Sequence, residues 1–342
     1  MHFKFRSNAK INLFLKVLYK RNDGYHQIES IFLPISIADT IYIKMEQGIA
    51  HGIEDIKFES INSIPLKNRY LFEEVSERGN IKNNLVYKLF EKLFQLNLQL
   101  PILKIKILKK IPPGSGVGGG SSNVATILRF LIQQNYLSFN DAIKIAEGIG
   151  SDVPFFIYNV PCFVTGRGEI IKPIDKKNLY NLENIYGIIN FNQKSVSTKK
   201  AYNELKKPLQ EEYVKIYGHN TNSGKAFFDK SFLEMGFEDF LHQCKNDFEP
   251  VILEKEPDLI KIKDWMLKTK PIKVLMTGSG SALFSLYKSK EKMLEALKHL
   301  KKVDIEQIIF KPFKIYTGQS PSGKASDFGS DMRRFESSLP SQ

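Results

Sequence analysis

The chain has 342 residues, of which 42% are hydrophobic and 25% charged, and its formal net charge is +13. This size and composition are typical of a globular protein with two domains, and no apolar run approaches the length of a membrane-spanning helix. The sequence begins with core-like residues, so we expect no signal peptide and a cytoplasmic location. The two cysteines, Cys162 and Cys244, indicate buried thiols in a reducing compartment, with neither a disulfide framework nor a metal site.

The positive charge has two interpretations. A basic chain can bind nucleic acid, but the lysines here are scattered through amphipathic stretches and form no long block. An anionic small-molecule substrate explains the charge better, so we expect no nucleic-acid partner and no membrane partner. Non-catalytic binding of a nucleotide or RNA is the alternative from a different functional class.

The first predicted strand is Ile11–Leu18, and two polar residues lie at its start. Lys10 and Asn12 are two positions apart, so on a strand both side chains point to the same face. Lysine supplies a compact positive charge, and asparagine supplies both a donor and an acceptor. Taken alone, the segment is more typical of a solvated strand face than of a site.

A turn is predicted at Asp23–His26, before a second strand at Thr40–Lys44. Asp-Gly is a turn signal, and Tyr25 and His26 follow it at the loop edge. Such a pair can stack on a nucleobase and hydrogen-bond to it. Taken alone, the pattern more often means a hairpin turn with a half-buried tyrosine.

A glycine-rich loop is the most informative segment of the chain. A helix is predicted at Leu85–Leu96, a strand at Leu103–Ile107 and a helix at Val124–Gln134, and five of the seven positions from Gly114 to Gly120 are glycine. Glycine lets a ligand approach the backbone, and serine hydroxyls with free N–H groups suit an oligophosphate. The loop therefore predicts phosphate binding at the start of a helix.

Two other interpretations of the glycine loop are less favoured. A Walker A loop requires lysine after its last glycine, and no lysine lies between Lys110 and Lys144. The dinucleotide pattern G-x-G-x-x-G is present from Gly114 to Gly119, but the preceding strand carries lysines on one face. In addition, the dinucleotide pattern requires an acidic residue at the end of a second strand. Asp141 lies at about the right distance, but it is in a predicted helix.

A third helix is predicted at Asp141–Gly148, and Asp152 follows between a glycine turn and an apolar run. A carboxylate on a stiff, partly buried turn can act as a general base. Taken alone, the position is more often a helix cap or a turn aspartate.

The second half of the chain contains further strands and helices. Strands are predicted at Tyr186–Phe191, Val274–Met276 and Ala282–Tyr287, and helices at Thr198–Lys206, Phe232–Cys244, Pro257–Lys268 and Lys290–Lys301. The segment Thr277–Ser281 between two strands is either a hairpin or a second small-residue loop that lets a ligand come close, and taken alone it predicts a hairpin. Strands and helices mix without strict alternation, which favours an α+β fold. We divide the chain into residues 1–165, residues 166–317 and a disordered tail at 318–342.

Together the motifs resemble those of the GHMP kinase superfamily. They occur in the order Ala9-Lys10-Ile11-Asn12-Leu13, Asp23-Gly24-Tyr25-His26, the glycine–serine loop, Ser151-Asp152-Val153-Pro154 and Thr277-Gly278-Ser279-Gly280. The first two motifs are similar to those of the superfamily members that act on a cytidine diphosphate-linked methylerythritol in the non-mevalonate isoprenoid pathway. The resemblance excludes the tail.

The resemblance implies a two-domain GHMP kinase fold with the active site in the interdomain cleft and ATP as the phosphoryl donor. It implies that Asp152 is the general base and that Lys10 is its charge partner. Mg²⁺ should accompany ATP, held mainly by the phosphates and waters. The implied ATP-binding residues are Pro112, Pro113, Gly114, Ser115, Gly116, Val117, Gly118, Gly119, Gly120, Ser121 and Ser122.

The resemblance also implies how the small-molecule acceptor binds. The Tyr25 ring should stack on the cytosine, and the His26 imidazole should hydrogen-bond to it. Asn12 should contact the acceptor near the reacting hydroxyl, and Thr198 and Tyr202 should line the pocket. We expect a monomer or a weak dimer.

Overall fold

The structure is a computed structural model of the chain. It describes residues 1–63, 84–174, 184–191, 198–217, 236–301 and 307–311. The predicted disordered tail at 318–342 lies outside the described residues.

A long hairpin organises the first half of the chain. β1 (His2–Lys20) and β2 (His26–Ala50) pair antiparallel along almost their whole length. β4 (Leu100–Lys109) and β5 (Cys162–Gly166) also pair antiparallel with β2. β3 (Ile56–Asn62) lies parallel to β4, and β6 (Ile170–Pro173) lies antiparallel to β5, which gives a six-stranded sheet.

Helices cover this sheet. They are α1 (Leu85–Gln95), α2 (Gly119–Gln133), α3 (Phe139–Ile149) and α4 (Val153–Tyr158). Side chains cap two of them, because Asn84 accepts from the N–H of Val86 and Ser138 accepts from that of Asp141. Their apolar faces pack on the sheet and form a single large core.

The second half of the chain forms an antiparallel four-stranded sheet. The strands are β7 (Tyr186–Asn190), β8 (Lys273–Met276), β9 (Leu283–Tyr287) and β10 (Gln307–Phe310). Their order in the sheet is β10-β7-β9-β8. The described helices are α5 (Thr198–Glu204), α6 (Gln210–Tyr217), α7 (Phe237–Gln243), α8 (Glu249–Lys255), α9 (Pro257–Lys268) and α10 (Lys290–Leu300).

Most predicted elements are confirmed, with differences at their ends. β1 and β2 are much longer than predicted, because partner strands keep pairing beyond the apolar stretches that mark them. α2 begins at Gly119, five residues before the predicted start, so its first turn is part of the glycine loop. For the predicted helix Phe232–Cys244, residues 237–243 are helical, and its first four residues lie outside the described ones.

The two sheets share a buried core. It contains Ile11 and Leu33 from the first sheet together with Leu275 and Phe284 from the second. The backbone of β1 also bonds to the second half, since Leu15 donates to the carbonyl of Lys245 and accepts from the N–H of residue 247. The predicted division between residues 165 and 166 stays a prediction, and the first sheet runs on through β6.

Candidate active site

The glycine loop presents a bare helix start. Gly114, Gly116 and Gly118 have φ values of 69°, 77° and 75°, which is the left-handed region that favours glycine. Gly118 occupies the position before α2, and no side chain caps the helix there. The first-turn N–H groups of α2 therefore lack a side-chain cap, and the positive end of the helix dipole faces the loop.

The three serines of the loop have different environments. The Ser115 hydroxyl donates to the carbonyl of Pro112 at 2.7 Å and so closes the turn. The buried Ser122 hydroxyl accepts from that of Ser7 at 2.8 Å, which ties α2 to β1. Ser121 is half-exposed. Of these three hydroxyls, that of Ser121 is the most accessible to a ligand.

A second glycine turn packs against the loop. Residues 277–282 join the antiparallel strands β8 and β9, so the predicted hairpin is confirmed. A Cβ on Gly116 would lie 2.6 Å from the carbonyl oxygen of Thr277, and one on Gly278 would lie 2.8 Å from that of Gly116. This approach of two backbones from opposite halves of the chain requires glycine on both sides.

Lys10 and Asp152 form an ion pair beside the loop. The Lys10 Nζ lies 3.5 Å from Asp152 Oδ2, and the two side chains are 3% and 30% exposed. The Lys10 ammonium also lies 4.5 Å from the centre of the Phe32 ring. Burial lowers the pKa of Lys10, and the neighbouring Asp152 charge acts against this lowering.

The Asp152 carboxylate is not used as a helix cap. Asp152 precedes α4 but makes no side-chain capping hydrogen bond, although this position often does so. A Cβ on Gly118 would lie 3.5 Å from Asp152 Oδ2, so the carboxylate faces the start of α2. The carboxylate is therefore close to where phosphate is predicted to bind.

Asn12 is a buried hydrogen-bond centre. Its Oδ1 accepts from Lys10 Nζ at 2.7 Å, from Gly278 N at 2.9 Å and from Thr277 Oγ1 at 3.2 Å. Its Nδ2 donates to Ser30 Oγ at 2.9 Å, and the side chain is 1% exposed. Asn12 thus orients Lys10 and joins it to the second glycine turn. Its predicted contact with the acceptor stays a prediction.

Backbone irregularity accompanies these two side chains. The register of the β1–β2 pairing shifts between Asn8 and Lys10 and between Asn12 and Phe14, on either side of the pair. At the first shift the Lys10 N–H donates to the carbonyl of Val117 in the glycine loop at 3.0 Å. This hydrogen bond fastens β1 to the loop.

The Tyr25–His26 turn forms the other end of the site. Asp23 Oδ1 accepts from the Tyr25 N–H at 3.0 Å and fixes the turn, and the Tyr25 ring is 50% exposed. The His26 ring stacks on Tyr202 with a centroid distance of 4.8 Å. Burial lowers the pKa of His26, with the charge of Lys20 as a second cause, so its imidazole favours the neutral form.

The second half of the chain completes this end. Burial raises the pKa of the Tyr202 hydroxyl, and the charge of Asp152 raises it further, so the two side chains are within electrostatic reach. The Thr198 hydroxyl lies 2.9 Å from that of Ser279 in the second glycine turn. The structure therefore brings the predicted site residues of both halves to one place.

Two supporting residues were missed from the sequence. The buried Asp39 accepts from the N–H groups of Lys110 at 2.7 Å and Ile111 at 2.9 Å and also bonds the Lys109 ammonium, which fixes the entry to the glycine loop. A lone carboxylate in an apolar strand was the available signal. Asn246 donates to the carbonyls of Met276 and Gly278, and no local pattern marks this contact.

Comparisons with known proteins agree with this geometry. Residues 84–160 match the GHMP kinases N terminal domain, and residues 225–305 match the GHMP kinases C terminal domain. The 4-diphosphocytidyl-2-C-methyl-D-erythritol kinase of Leptospira interrogans is 39% identical over 297 residues, which are 86% of this chain and 95% of the relative. The chain belongs to the 4-diphosphocytidyl-2-C-methyl-D-erythritol kinase family. The family member of Leptospira biflexa is 34% identical over 85% of this chain and 92% of its own length.

Solved structures support the same fold for this small-molecule kinase. A crystal structure of 4-(cytidine 5'-diphospho)-2C-methyl-D-erythritol kinase matches with a TM-score of 0.65 and 25% identity, over 90% of this chain and 98% of that one. The predicted two-domain α+β GHMP kinase fold is confirmed. Within the described residues, no helix of the kinase is long and apolar enough to cross a membrane.

Proposed function

We propose that this kinase transfers the γ-phosphoryl group of ATP to the 2-hydroxyl of 4-diphosphocytidyl-2-C-methyl-D-erythritol, in the non-mevalonate route to isoprenoid precursors. The observation that carries the proposal is the ion pair of Lys10 and Asp152, 3.5 Å apart beside the bare start of α2. The relatives' names and the placement of Tyr25 and His26 in the same site support the choice of acceptor.

Asp152 is proposed as the general base. Its carboxylate accepts the proton of the acceptor hydroxyl while the oxygen forms a bond to the γ-phosphorus and the bond to the ADP oxygen breaks. The carboxylate suits this role because it is partly exposed and does not cap α4. Lys10 orients the carboxylate and offsets negative charge that develops on the transferring group.

The glycine loop is proposed to bind the phosphates of ATP, from Pro112 through Ser122. Backbone N–H groups at the start of α2 and the helix dipole stabilise the anionic donor. Among the described residues, no three His, Cys, Asp or Glu side chains group closely enough to hold a metal ion. Mg²⁺ would therefore be held mainly by the ATP phosphates and waters, and the accessible Ser121 hydroxyl would add a ligand. When bound, the ion neutralises phosphate charge.

The acceptor is proposed to bind with its cytosine on the Tyr25 ring. The exposed face of this ring can stack on a base, and the neutral His26 imidazole can donate or accept a hydrogen bond. Tyr202 supports His26 by stacking, and Thr198 borders the pocket from the second half of the chain. Asn12 contacts the acceptor near the reacting hydroxyl and positions Lys10.

An activity assay tests the function. The full chain is incubated with Mg-ATP and 4-diphosphocytidyl-2-C-methyl-D-erythritol, and ADP release is measured, with mevalonate and homoserine as control acceptors. We expect ADP release with the cytidine-containing acceptor and none above background with the controls. Turnover of a control without turnover of the cytidine-containing acceptor would overturn the proposed acceptor while leaving the kinase fold in place.

A further inference from the structure

The turn between β5 and β6 touches both ends of the proposed acceptor site. The Arg167 guanidinium carbon lies 4.8 Å from the centre of the Tyr25 ring. One residue later, a Cβ on Gly168 would lie 3.2 Å from both the Cβ and the carbonyl oxygen of Ser151. Ser151 immediately precedes Asp152. The turn therefore lies between the ring proposed to bind cytosine and the carboxylate proposed to act as the base.

This turn has a fixed backbone. Gly166 and Gly168 have φ values of 73° and 122°, so glycine is required at both positions around Arg167. The Arg167 N–H donates to Glu169 Oε2 at 2.6 Å, and the Gly168 N–H donates to the carbonyl of Thr165 at 3.1 Å. The base of the Arg167 side chain is thus held in place before any ligand binds.

Two arginines near Tyr25 differ in how their charge is compensated. Arg21 forms ion pairs with Asp23 at 3.1 Å and with Glu169 at 3.8 Å. For the half-buried Arg167, no carboxylate within the described ranges lies within 4.0 Å, and its guanidinium lies over the Tyr25 ring. A partly desolvated guanidinium without an acidic partner favours binding of an anion.

We propose that Arg167 binds the diphosphate of the acceptor and makes the kinase selective for a diphosphate-linked cytidine. This inference rests on the proposed function. With cytosine on Tyr25 and the reacting hydroxyl at Asp152, the diphosphate between them must cross the space beside the turn that carries Arg167. The planar guanidinium fork matches phosphate oxygens, and its contact with the Tyr25 ring keeps it oriented toward them.

Calorimetric titration of the full chain with cytidine and with CDP tests this selectivity. A non-hydrolysable ATP analogue occupies the donor site throughout, so that CDP can bind only at the acceptor site. For wild type we expect CDP to bind more tightly than cytidine. Arg167→Met keeps an apolar side chain against Tyr25. In this variant the affinity for CDP should fall by about tenfold to a hundredfold. The affinity for cytidine should fall less than about threefold, because methionine preserves the packing.

Arg21→Met is the matched control, because it removes a guanidinium whose charge is already paired. We expect it to preserve the wild-type preference for CDP over cytidine. Arg167→Lys keeps the charge without the fork, so we expect it to retain part of the preference. Thermal melting of each variant shows that the fold is intact.

Two results would overturn the inference. If Arg167→Met lowered the affinities for cytidine and for CDP by the same factor, Arg167 would only support the Tyr25 ring. An equal loss of CDP preference in Arg21→Met would mean that the general positive charge attracts the diphosphate. Both results leave wild-type turnover of the cytidine-containing acceptor intact, whereas failure of the proposed function would appear as no turnover by the wild type.

Discussion

Lys10 and Tyr25 belong to the same proposed site, but the protein holds them in opposite ways. The Lys10 side chain is 3% exposed, and Asn12, Asp152 and the Phe32 ring surround its ammonium. The Tyr25 ring is 50% exposed and is fixed through a turn and a stacked arginine. The chemical end is thus built from buried polar contacts, and the recognition end leaves ring surface available.

The difference follows from the role proposed for each end. Charges that stabilise a transition state act most strongly where water is excluded and where their direction is fixed in advance. A stacking surface gains its binding energy only when a base covers it, so it must stay open in the free protein. Substitutions at the chemical end should therefore change kcat or stability, and those at the recognition end should change KM.

The largest effect is expected for Asp152→Asn. The amide cannot accept the proton, so kcat should fall by about 10²- to 10⁴-fold. The variant should still fold, but its melting temperature should fall, because the buried Lys10 ammonium loses its negatively charged partner. Steady-state kinetics and thermal melting measure the two quantities.

Asp264→Asn serves as the control for this change. Asp264 is an exposed carboxylate on α9, and its replacement should leave kcat unchanged. A fall of less than tenfold in Asp152→Asn would show that another group takes the proton.

The next effect concerns the contact between the two glycine turns. Gly116→Ala places a Cβ 2.6 Å from the carbonyl oxygen of Thr277 at a φ of 77°, so the free energy of unfolding should fall by about 1–3 kcal/mol. The KM for ATP should rise, because the loop must shift. Urea unfolding and kinetics measure the two changes.

Gly148→Ala is the matched control for Gly116→Ala. Gly148 lies in α3 with no atom within 4 Å of an added Cβ, so alanine should stabilise the protein by about 0.5–1 kcal/mol. A loss of stability in both variants would argue against a special role for the glycine contact.

A smaller effect is expected for Tyr25→Ala at the recognition end. Loss of base stacking should raise the KM for the acceptor about 5- to 150-fold and leave the KM for ATP nearly unchanged. Tyr25→Phe keeps the ring and should stay close to wild type. If both KM values rose together in Tyr25→Ala, the ring would have no cytosine-specific role.

His26→Ala should follow the same pattern as Tyr25→Ala. It removes the proposed hydrogen bond to cytosine and the stack on Tyr202. The KM for the acceptor should rise with little change for ATP. A selective rise for ATP would place His26 on the donor side.

The smallest effect is a shift in the titration of His26. Burial and the charge of Lys20 lower its pKa from 6.5, so protons bind more weakly to the folded than to the unfolded form. Stability contributed by the neutral ring is present above pH 6.5 and is lost as the pH falls from 6.5 toward the lower folded pKa. Lys20→Gln removes the positive charge of Lys20, so the pKa of His26 should move back toward 6.5. An NMR titration of the imidazole measures this, and a wild-type pKa above 6.5 would contradict it.

The sequence predicted the local parts of the site well. The two-residue spacing of Lys10 and Asn12 predicted a shared face, and their side chains are hydrogen-bonded at 2.7 Å. The run of glycines predicted an exposed backbone at a helix start, and the loop has positive φ values and leads directly into α2. Both predictions depend on neighbours in the sequence, whose geometry is set by backbone sterics.

The long-range contacts could not be predicted in this way. The bonds from Asn12 to Gly278 and from Asn246 to Met276 join residues far apart in the chain, and no periodic pattern marks them. The register shifts around Lys10 likewise depend on the pairing with β2 and on the loop that meets β1. The resemblance to the superfamily motifs predicted that these segments share one site. The distances and hydrogen bonds between them became known only from the structure.

The core shared by both sheets limits how the kinase can move. Swinging the two halves apart would expose Ile11 and Phe284 to water and would break the backbone bonds between Leu15 and the second half. Rigid-body hinge opening is therefore unfavourable. Hydrogen exchange at the amide of Leu15 should accordingly be among the slowest in the protein.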